Sequence, residues 1–191
     1  MLIRHCLFYT QRNLKGGNNL NIKVFSKAQI KRHRPQNKTV LISVQDSGDL
    51  EKSRNFVSHS RYRSILWLYF DDIEEVNPPH SFSSSQAHQI IETVTCILKS
   101  NPQITIAIHC EAGVSRSQAI AHFIASHFGT PSQITEIESR TVPKKAGNTL
   151  VRILLEQTYT QYKKEVSHVL SRHIKTPTRN PTHRTPIENL S

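Results

Sequence analysis

The sequence has few cysteines, and no two of them form a spaced pair. Its 191 residues include Cys6, Cys96 and Cys110, with no Cys-x-x-Cys motif. This odd, sparse set excludes a disulfide framework and the usual zinc sites. Eleven histidines are present, but none has the HExxH spacing of a metalloprotease, so we expect no metal and no cofactor. The cysteine usage suits a reducing compartment, and we expect a cytoplasmic protein.

Long apolar runs and internal repeats are also missing. No stretch of 18 apolar residues occurs, so we expect no membrane span. Hydrophobic residues make up 36% of the chain, which suffices for the core of one domain at this length. We expect a monomer with a single folded domain.

Acidic residues are absent from the first 38 positions, which carry nine Lys or Arg residues. Residues 171–191 are also basic, with four Lys or Arg and one Glu. The formal net charge of +11 therefore comes from the two ends. We expect a basic arm at residues 1–20, a folded domain at 21–170 and a basic, Pro- and Thr-rich disordered tail at 171–191. Such ends could contact acidic partners or nucleic acid, or only keep the chain soluble.

Hydrophobic periodicity predicts strands that alternate with helices. The strands are expected at residues 22–25, 39–44, 64–70 and 104–108. The helices are expected at residues 26–34, 84–101, 117–128, 132–140 and 148–170. This order predicts an α/β fold whose central, mostly parallel sheet is flanked by helices. Cys96 follows Val94 on an apolar helix, and we expect it in the core.

The segment from His109 to Ser117 reads His-Cys-Glu-Ala-Gly-Val-Ser-Arg-Ser and joins a predicted strand to a predicted helix. Backbone N–H groups of such a loop can converge on one anion, and the helix N-terminus adds partial positive charge. Gly113 allows close backbone approach, and Arg116 offers a planar fork of donors for phosphate oxygens. The same positive field favours the thiolate of Cys110, which is the form that acts as a nucleophile.

A second polar segment follows the preceding predicted strand. Residues 71–75 read Asp-Asp-Ile-Glu-Glu. Ligands of parallel sheets bind beyond the carboxyl ends of the strands, so this segment and the Cys110 loop belong to the same edge. Transfer of a phosphoryl group to sulfur requires a proton for the leaving oxygen, and a carboxylic acid here could donate it.

The spacing from Cys110 to Arg116 resembles the Cys-x5-Arg phosphate loop of the protein tyrosine phosphatase superfamily. The fuller string resembles the dual-specificity branch, and the segment Phe70 to Ile73 resembles the acid loop of its small bacterial members. The resemblance covers roughly residues 21–160 of the sequence. It implies the fold of that family and a protein phosphatase that forms a phosphocysteine intermediate.

The resemblance also implies a role for each matching residue. Cys110 would be the nucleophile, and Arg116 would bind phosphate and stabilise the transition state. Ser117 would stabilise the leaving thiolate, and His109 would support the cysteine from behind. Asp72 would be the general acid, with Asp71 as the alternative. The phosphate cradle would be formed by the main-chain N–H groups of Glu111, Ala112, Gly113, Val114, Ser115 and Arg116.

The loop composition also bears on the substrate. Glu111 follows the cysteine, and the loop contains no Lys, which disfavours a multiply charged ligand. A phosphoprotein, whether it carries phosphotyrosine, phosphoserine or phosphothreonine, therefore ranks above a phosphoinositide or an RNA 5′-phosphate. Two other classes stay open: a catalytically weak module that docks phosphorylated partners, and a sulfur-transfer or arsenate-reducing enzyme.

Overall fold

Four parallel strands form the centre of a computed structural model that describes residues 20–35, 38–49, 57–75, 78–101, 103–129 and 147–174. The strands are β1 (Asn21–Ser26), β2 (Thr39–Gln45), β3 (Ser64–Tyr69) and β4 (Thr105–Cys110). Their order across the sheet is β1-β4-β2-β3, and every pair is parallel. The predicted α/β fold with a mostly parallel sheet is confirmed.

Four α-helices flank this sheet within the described residues. They are α1 (Lys27–Arg32), α2 (Ser84–Ser100), α3 (Arg116–Phe128) and α4 (Thr149–Ile174). Capping boxes begin α1 and α2, with Ser26 and Ser83 as the N-caps. In each box the serine and a glutamine satisfy backbone N–H groups that have no partner inside the helix. The predicted start of the first helix at Ser26 is therefore explained by its cap.

The two faces of the sheet pack against different elements because side chains alternate along each strand. On one face, Ile42 and Ile106 belong to the main core, which α2, α3 and α4 complete. On the other face, Leu41 packs in a smaller cluster with Ile30 of α1 and Tyr62. The central strands β2 and β4 are buried on both faces, which explains their continuous apolar sequences.

The predicted apolar face of α2 is buried. It consists of Ala87, Ile90, Ile91, Val94 and Leu98. The prediction that Cys96 belongs to this core is wrong, because Cys96 is half-buried and takes part in a disulfide bond. Two residues along a helix correspond to a rotation of about 200°, so Cys96 lies away from the stripe that contains Val94.

The predicted domain boundaries fall close to the edges of the described residues. Leu20, which was assigned to the basic arm, is buried in the main core. The last helix continues to Ile174, beyond the expected end of the domain at residue 170. Residues 1–19, the helix predicted at 132–140 and residues 175–191 lie outside the described part, so the division into arm, domain and tail stays a prediction. None of the described helices combines the length and apolar content needed to cross a membrane.

Candidate active site

The carboxyl ends of the strands meet at one edge of the sheet, and the loop after β4 crosses this edge. Cys110 is the last residue of β4, and Arg116 is the first residue of α3. The backbone N–H of Lys27, directly after β1, donates to the carbonyl oxygen of Glu111 at 3.0 Å. The loop is therefore fixed at both ends by regular structure and along its length by the neighbouring strand.

Cys110 is 2% exposed, and two donor groups lie close to its sulfur. The N–H of Gly113 donates to Sγ at 3.3 Å, and the hydroxyl oxygen of Ser117 lies 3.1 Å from Sγ. A backbone N–H and a hydroxyl both stabilise a thiolate, because each can donate a hydrogen bond to negative charge on sulfur. These contacts are the ones that the roles expected for Cys110 and Ser117 require, and the roles themselves stay predictions.

Arg116 is 4% exposed, and one end of its guanidinium is held by the protein. Nη1 donates to the carbonyl oxygen of Phe70 at 2.6 Å and forms an ion pair with Oδ1 of Asp46 at 2.7 Å. Its Nε is buried and has no hydrogen-bond partner in the described part of the chain. An unpaired buried donor costs roughly 1–3 kcal/mol, so this edge of the guanidinium is suited to an anion that enters from outside.

Gly113 has a backbone conformation that the loop requires. Its φ is +77°, in the left-handed region. A Cβ atom at this position would lie 2.8 Å from both the carbonyl carbon of Phe25 and the nitrogen of Ser26. The end of β1 therefore packs directly against the loop and leaves no space for a side chain.

His109 is fully buried on the sheet face opposite the main core. Its Nε2 lies 2.8 Å from the hydroxyl oxygen of Ser43, its register partner on β2. Burial lowers the pKa of His109 to about 4, so the ring is neutral at neutral pH. A neutral ring in a hydrogen-bonded position supports the end of β4 without adding charge behind the cysteine.

The two adjacent aspartates after β3 have different surroundings. Oδ1 of Asp72 accepts hydrogen bonds from the hydroxyl of Ser115 and from Nδ2 of Asn148, each at 2.8 Å. Because Ser115 belongs to the phosphate loop, Asp72 lies beside that loop although β2 separates β3 from β4 in the sheet. Asp72 is also exposed, so it can reach a bound ligand.

Asp71 instead faces the loop after β2. The N–H and hydroxyl of Ser47 donate to its two carboxylate oxygens at 2.9 and 3.0 Å. The backbone hydrogen bond from Ser47 holds the pKa of Asp71 below its ordinary value. A general acid must carry a proton, so this environment is unfavourable for Asp71 and leaves Asp72 as the better-placed group.

The remaining predicted loop residues lie around the rim of this site. The side chains of Ala112 and Val114 are exposed, and that of Val114 is 52% exposed. The carboxylate of Glu111 lies 3.1 Å from Nζ of Lys27, which also pairs with Asp49 at 2.7 Å. For these three residues, the role predicted from the sequence involves only their backbone N–H groups, and it stays a prediction.

Several residues that hold the site in place were not predicted from the sequence, and three of them hold a predicted side chain through a charged or amide group. Asp46 holds Arg116, Asn148 holds Asp72, and Lys27 holds Glu111. Asp46 and Lys27 each follow a strand directly, which is the signal that identified Asp71 and Asp72. Asn148 carries no such signal, since it lies far along the chain at the start of α4, where it also caps the N–H of Val151.

No family model matches the chain, and no curated protein matches it. Solved structures do resemble it. Tk-PTP in the active form is 15% identical, with coverage of 78% of this chain and 95% of that chain and a TM-score of 0.47. The human tyrosine phosphatase-like serine/threonine/tyrosine-interacting protein is 18% identical, with coverage of 71% and 83% and a TM-score of 0.43. PTPMT1 in complex with PI(5)P is 15% identical, with coverage of 74% and 94% and a TM-score of 0.44.

The chain is similar to these structures in its fold alone. The functional assignment therefore depends on the residues of this chain and on the contacts around Cys110 and Arg116.

The buried His109 predicts a pH dependence of stability. In the unfolded chain the ring gains its proton as the pH falls below 6.5, whereas in the folded protein it stays neutral down to about pH 4. The contribution of His109 to the free energy of unfolding is therefore fully present above pH 6.5, and it decreases as the pH falls towards 4. We compare the decrease in the free energy of unfolding between pH 7 and pH 4 in two proteins. This decrease should be roughly 3 kcal/mol larger in the natural protein than in His109→Gln. Denaturant unfolding at both pH values measures this difference, and equal losses in the two proteins would show that His109 does not contribute.

Proposed function

We propose that the chain is a phosphomonoester hydrolase that acts on phosphorylated proteins through a phosphocysteine intermediate on Cys110. The observation that carries this proposal is the arrangement of Cys110 and Arg116 at the two ends of one tight loop. The sulfur accepts a backbone hydrogen bond from that loop, while the buried Nε of Arg116 has no partner among the residues that the structure describes. A phosphate group bound between them would accept from the guanidinium and present its phosphorus to the sulfur.

The first chemical step would transfer the phosphoryl group to the enzyme. The thiolate of Cys110 attacks phosphorus, a bond between sulfur and phosphorus forms, and the bond from phosphorus to the leaving oxygen breaks. Asp72 donates its proton to that oxygen. The guanidinium of Arg116 and the loop N–H groups stabilise the charge on the phosphoryl oxygens in the transition state.

The second step would release inorganic phosphate. Water attacks phosphorus, the sulfur–phosphorus bond breaks, and the Asp72 carboxylate accepts the proton that water loses. The thiolate that leaves is stabilised by the hydroxyl of Ser117 and the N–H of Gly113. Among the described residues, these two groups lie within hydrogen-bonding distance of Sγ, at 3.1 and 3.3 Å. The cycle needs no metal ion and no cofactor.

The substrate class follows from the charge of the rim. Glu111 is 57% exposed at its side chain, and its partner Lys27 is also engaged by Asp49. A second phosphate on the ligand would meet these carboxylates, so a single phosphomonoester on a protein suits the site better than a phosphoinositide or an RNA 5′-phosphate. Exposed loop residues such as Val114 leave the site open towards a macromolecular surface.

Replacement of the nucleophile tests the proposed activity. We expect Cys110→Ser to lose turnover of p-nitrophenyl phosphate by a factor on the order of 10⁴ or more, since a serine hydroxyl without a base is a poor nucleophile. The variant should still bind a phosphopeptide, because Gly113 and Arg116 are unchanged. Steady-state kinetics and isothermal titration calorimetry measure the two properties.

The same experiment separates the enzyme from a binding module. A natural protein that binds the phosphopeptide but does not hydrolyse p-nitrophenyl phosphate would be a docking module. Full activity in Cys110→Ser would exclude a covalent role for this residue. Inactivity that comes with loss of the folded structure is recognised from the circular dichroism of the variant.

The effect of the leaving group on the rate of hydrolysis tests which of the two aspartates is the general acid. Asp72→Asn should slow hydrolysis of phenyl phosphate by about 10²- to 10⁴-fold, and that of p-nitrophenyl phosphate much less, because the poorer leaving group needs the proton. Asp71→Asn is the matched control, and we expect it to slow both substrates equally. A selective loss on phenyl phosphate in Asp71→Asn would assign the acid to that residue instead.

A further inference from the structure

Carboxylates predominate where the described strands end. Asp46 follows β2, Asp71 and Asp72 follow the end of β3, and Glu111 follows β4, whereas Lys27 follows β1. The opposite edge of the sheet has the reverse charge, since the exposed Lys38 and Arg63 directly precede β2 and β3. The fold therefore places negative charge at the edge that contains the phosphate loop.

The cations at this edge are already engaged by the protein. Nζ of Lys27 lies 2.7 Å from Asp49 and 3.1 Å from Glu111, and Nη1 of Arg116 lies 2.7 Å from Asp46. Lys27 is thus shared between two carboxylates. Within the described part of the chain, the rim therefore keeps excess negative charge around Glu111.

An independent observation points to a ligand beside the phosphate loop. The Nε of Arg116, on a side chain that is 4% exposed, is a donor without a partner among the described residues. Arg116 is the first residue of α3, so an oxyanion that satisfies it lies at the edge of the sheet where these carboxylates follow the strands. The guanidinium and the loop N–H groups compensate the negative charge of the phosphate itself. The parts of the substrate next to the phosphate face the rim.

We infer that the site prefers phosphopeptides in which Lys or Arg residues flank the phosphorylated residue. This inference rests on the proposed phosphatase activity and adds a substrate class to it. Positive flanking residues pair with Glu111, whereas acidic flanking residues are repelled by it. Nucleic acids and phosphoinositides carry further negative groups beside the reacting phosphate, so the same rim disfavours them.

Two phosphotyrosine peptides test the preference, one with Lys and the other with Glu on both sides of the phosphorylated residue. At low salt we expect kcat/KM to be roughly tenfold higher for the Lys peptide, the value expected from one or two exposed ion pairs. The ratio should approach one at high salt, because exposed charges are screened. p-Nitrophenyl phosphate, which has no flanking residues, measures the basal activity in the same assay.

A matched pair of variants locates the origin of the preference. Glu111→Gln should lower the ratio of the two kcat/KM values by about threefold, because one carboxylate of the rim is neutralised. Glu156→Gln is the control. Glu156 is 54% exposed and pairs with His127 near the far end of α3, so it matches Glu111 in exposure and in having a partner. In Glu156→Gln, the ratio of the two kcat/KM values should equal that of the natural protein.

Three results would overturn the inference. The first is an equal kcat/KM for the two peptides at low salt in a protein that hydrolyses p-nitrophenyl phosphate, which leaves the proposed function intact. The second is faster hydrolysis of an RNA 5′-phosphate or a phosphoinositide than of the Lys peptide. The third is absence of turnover on every substrate, which overturns the proposed function as well.

Discussion

The structure depends on how Arg116 is held at the first turn of α3. Its Nη1 contacts the Phe70 carbonyl oxygen and the Asp46 carboxylate, so segments that follow β3 and β2 both fix the guanidinium. This anchoring leaves Nε buried and without a partner within the described ranges of the chain, at a cost that a bound oxyanion would offset. Because Cys110 lies at the other end of the same loop, any anion that satisfies Arg116 is brought towards the sulfur.

The fold supplies this geometry through its strand order. With β4 between β1 and β2, the phosphate loop has a neighbouring strand end on each side. The end of β1 packs against Gly113 so closely that a Cβ there would lie 2.8 Å from backbone atoms. On the other side, Ser43 of β2 supports His109, and the segment after β2 provides Asp46. Each constraint acts on the backbone or on a buried side chain, which makes the loop rigid before a ligand arrives.

Much of this arrangement could be predicted from the sequence. The apolar run that ends in His109 and Cys110, followed by a glycine-containing loop and a helix, predicts both the strand and the phosphate loop. The helical face that contains Ile90 and Val94 was equally clear from its periodicity. Such features are local, because the residues that define them lie close together along the chain.

The contacts between distant segments could not be predicted in this way. The sequence does not show that Ser47 would bind Asp71 and leave Asp72 beside Ser115, since the two aspartates are adjacent and chemically identical. Asn148 lies 76 positions from Asp72, and only the packing of α4 brings their side chains together. Cys96 was misplaced because two residues along a helix separate opposite faces.

The central claim is that Cys110 carries the phosphoryl group during the reaction. Rapid acid quench of the protein during turnover of p-nitrophenyl phosphate, followed by mass spectrometry of its peptides, tests this most directly. We expect a phosphate adduct on the peptide that contains Cys110, and no adduct in Cys110→Ser. Turnover without any adduct under single-turnover conditions, or an adduct on another residue, would contradict it.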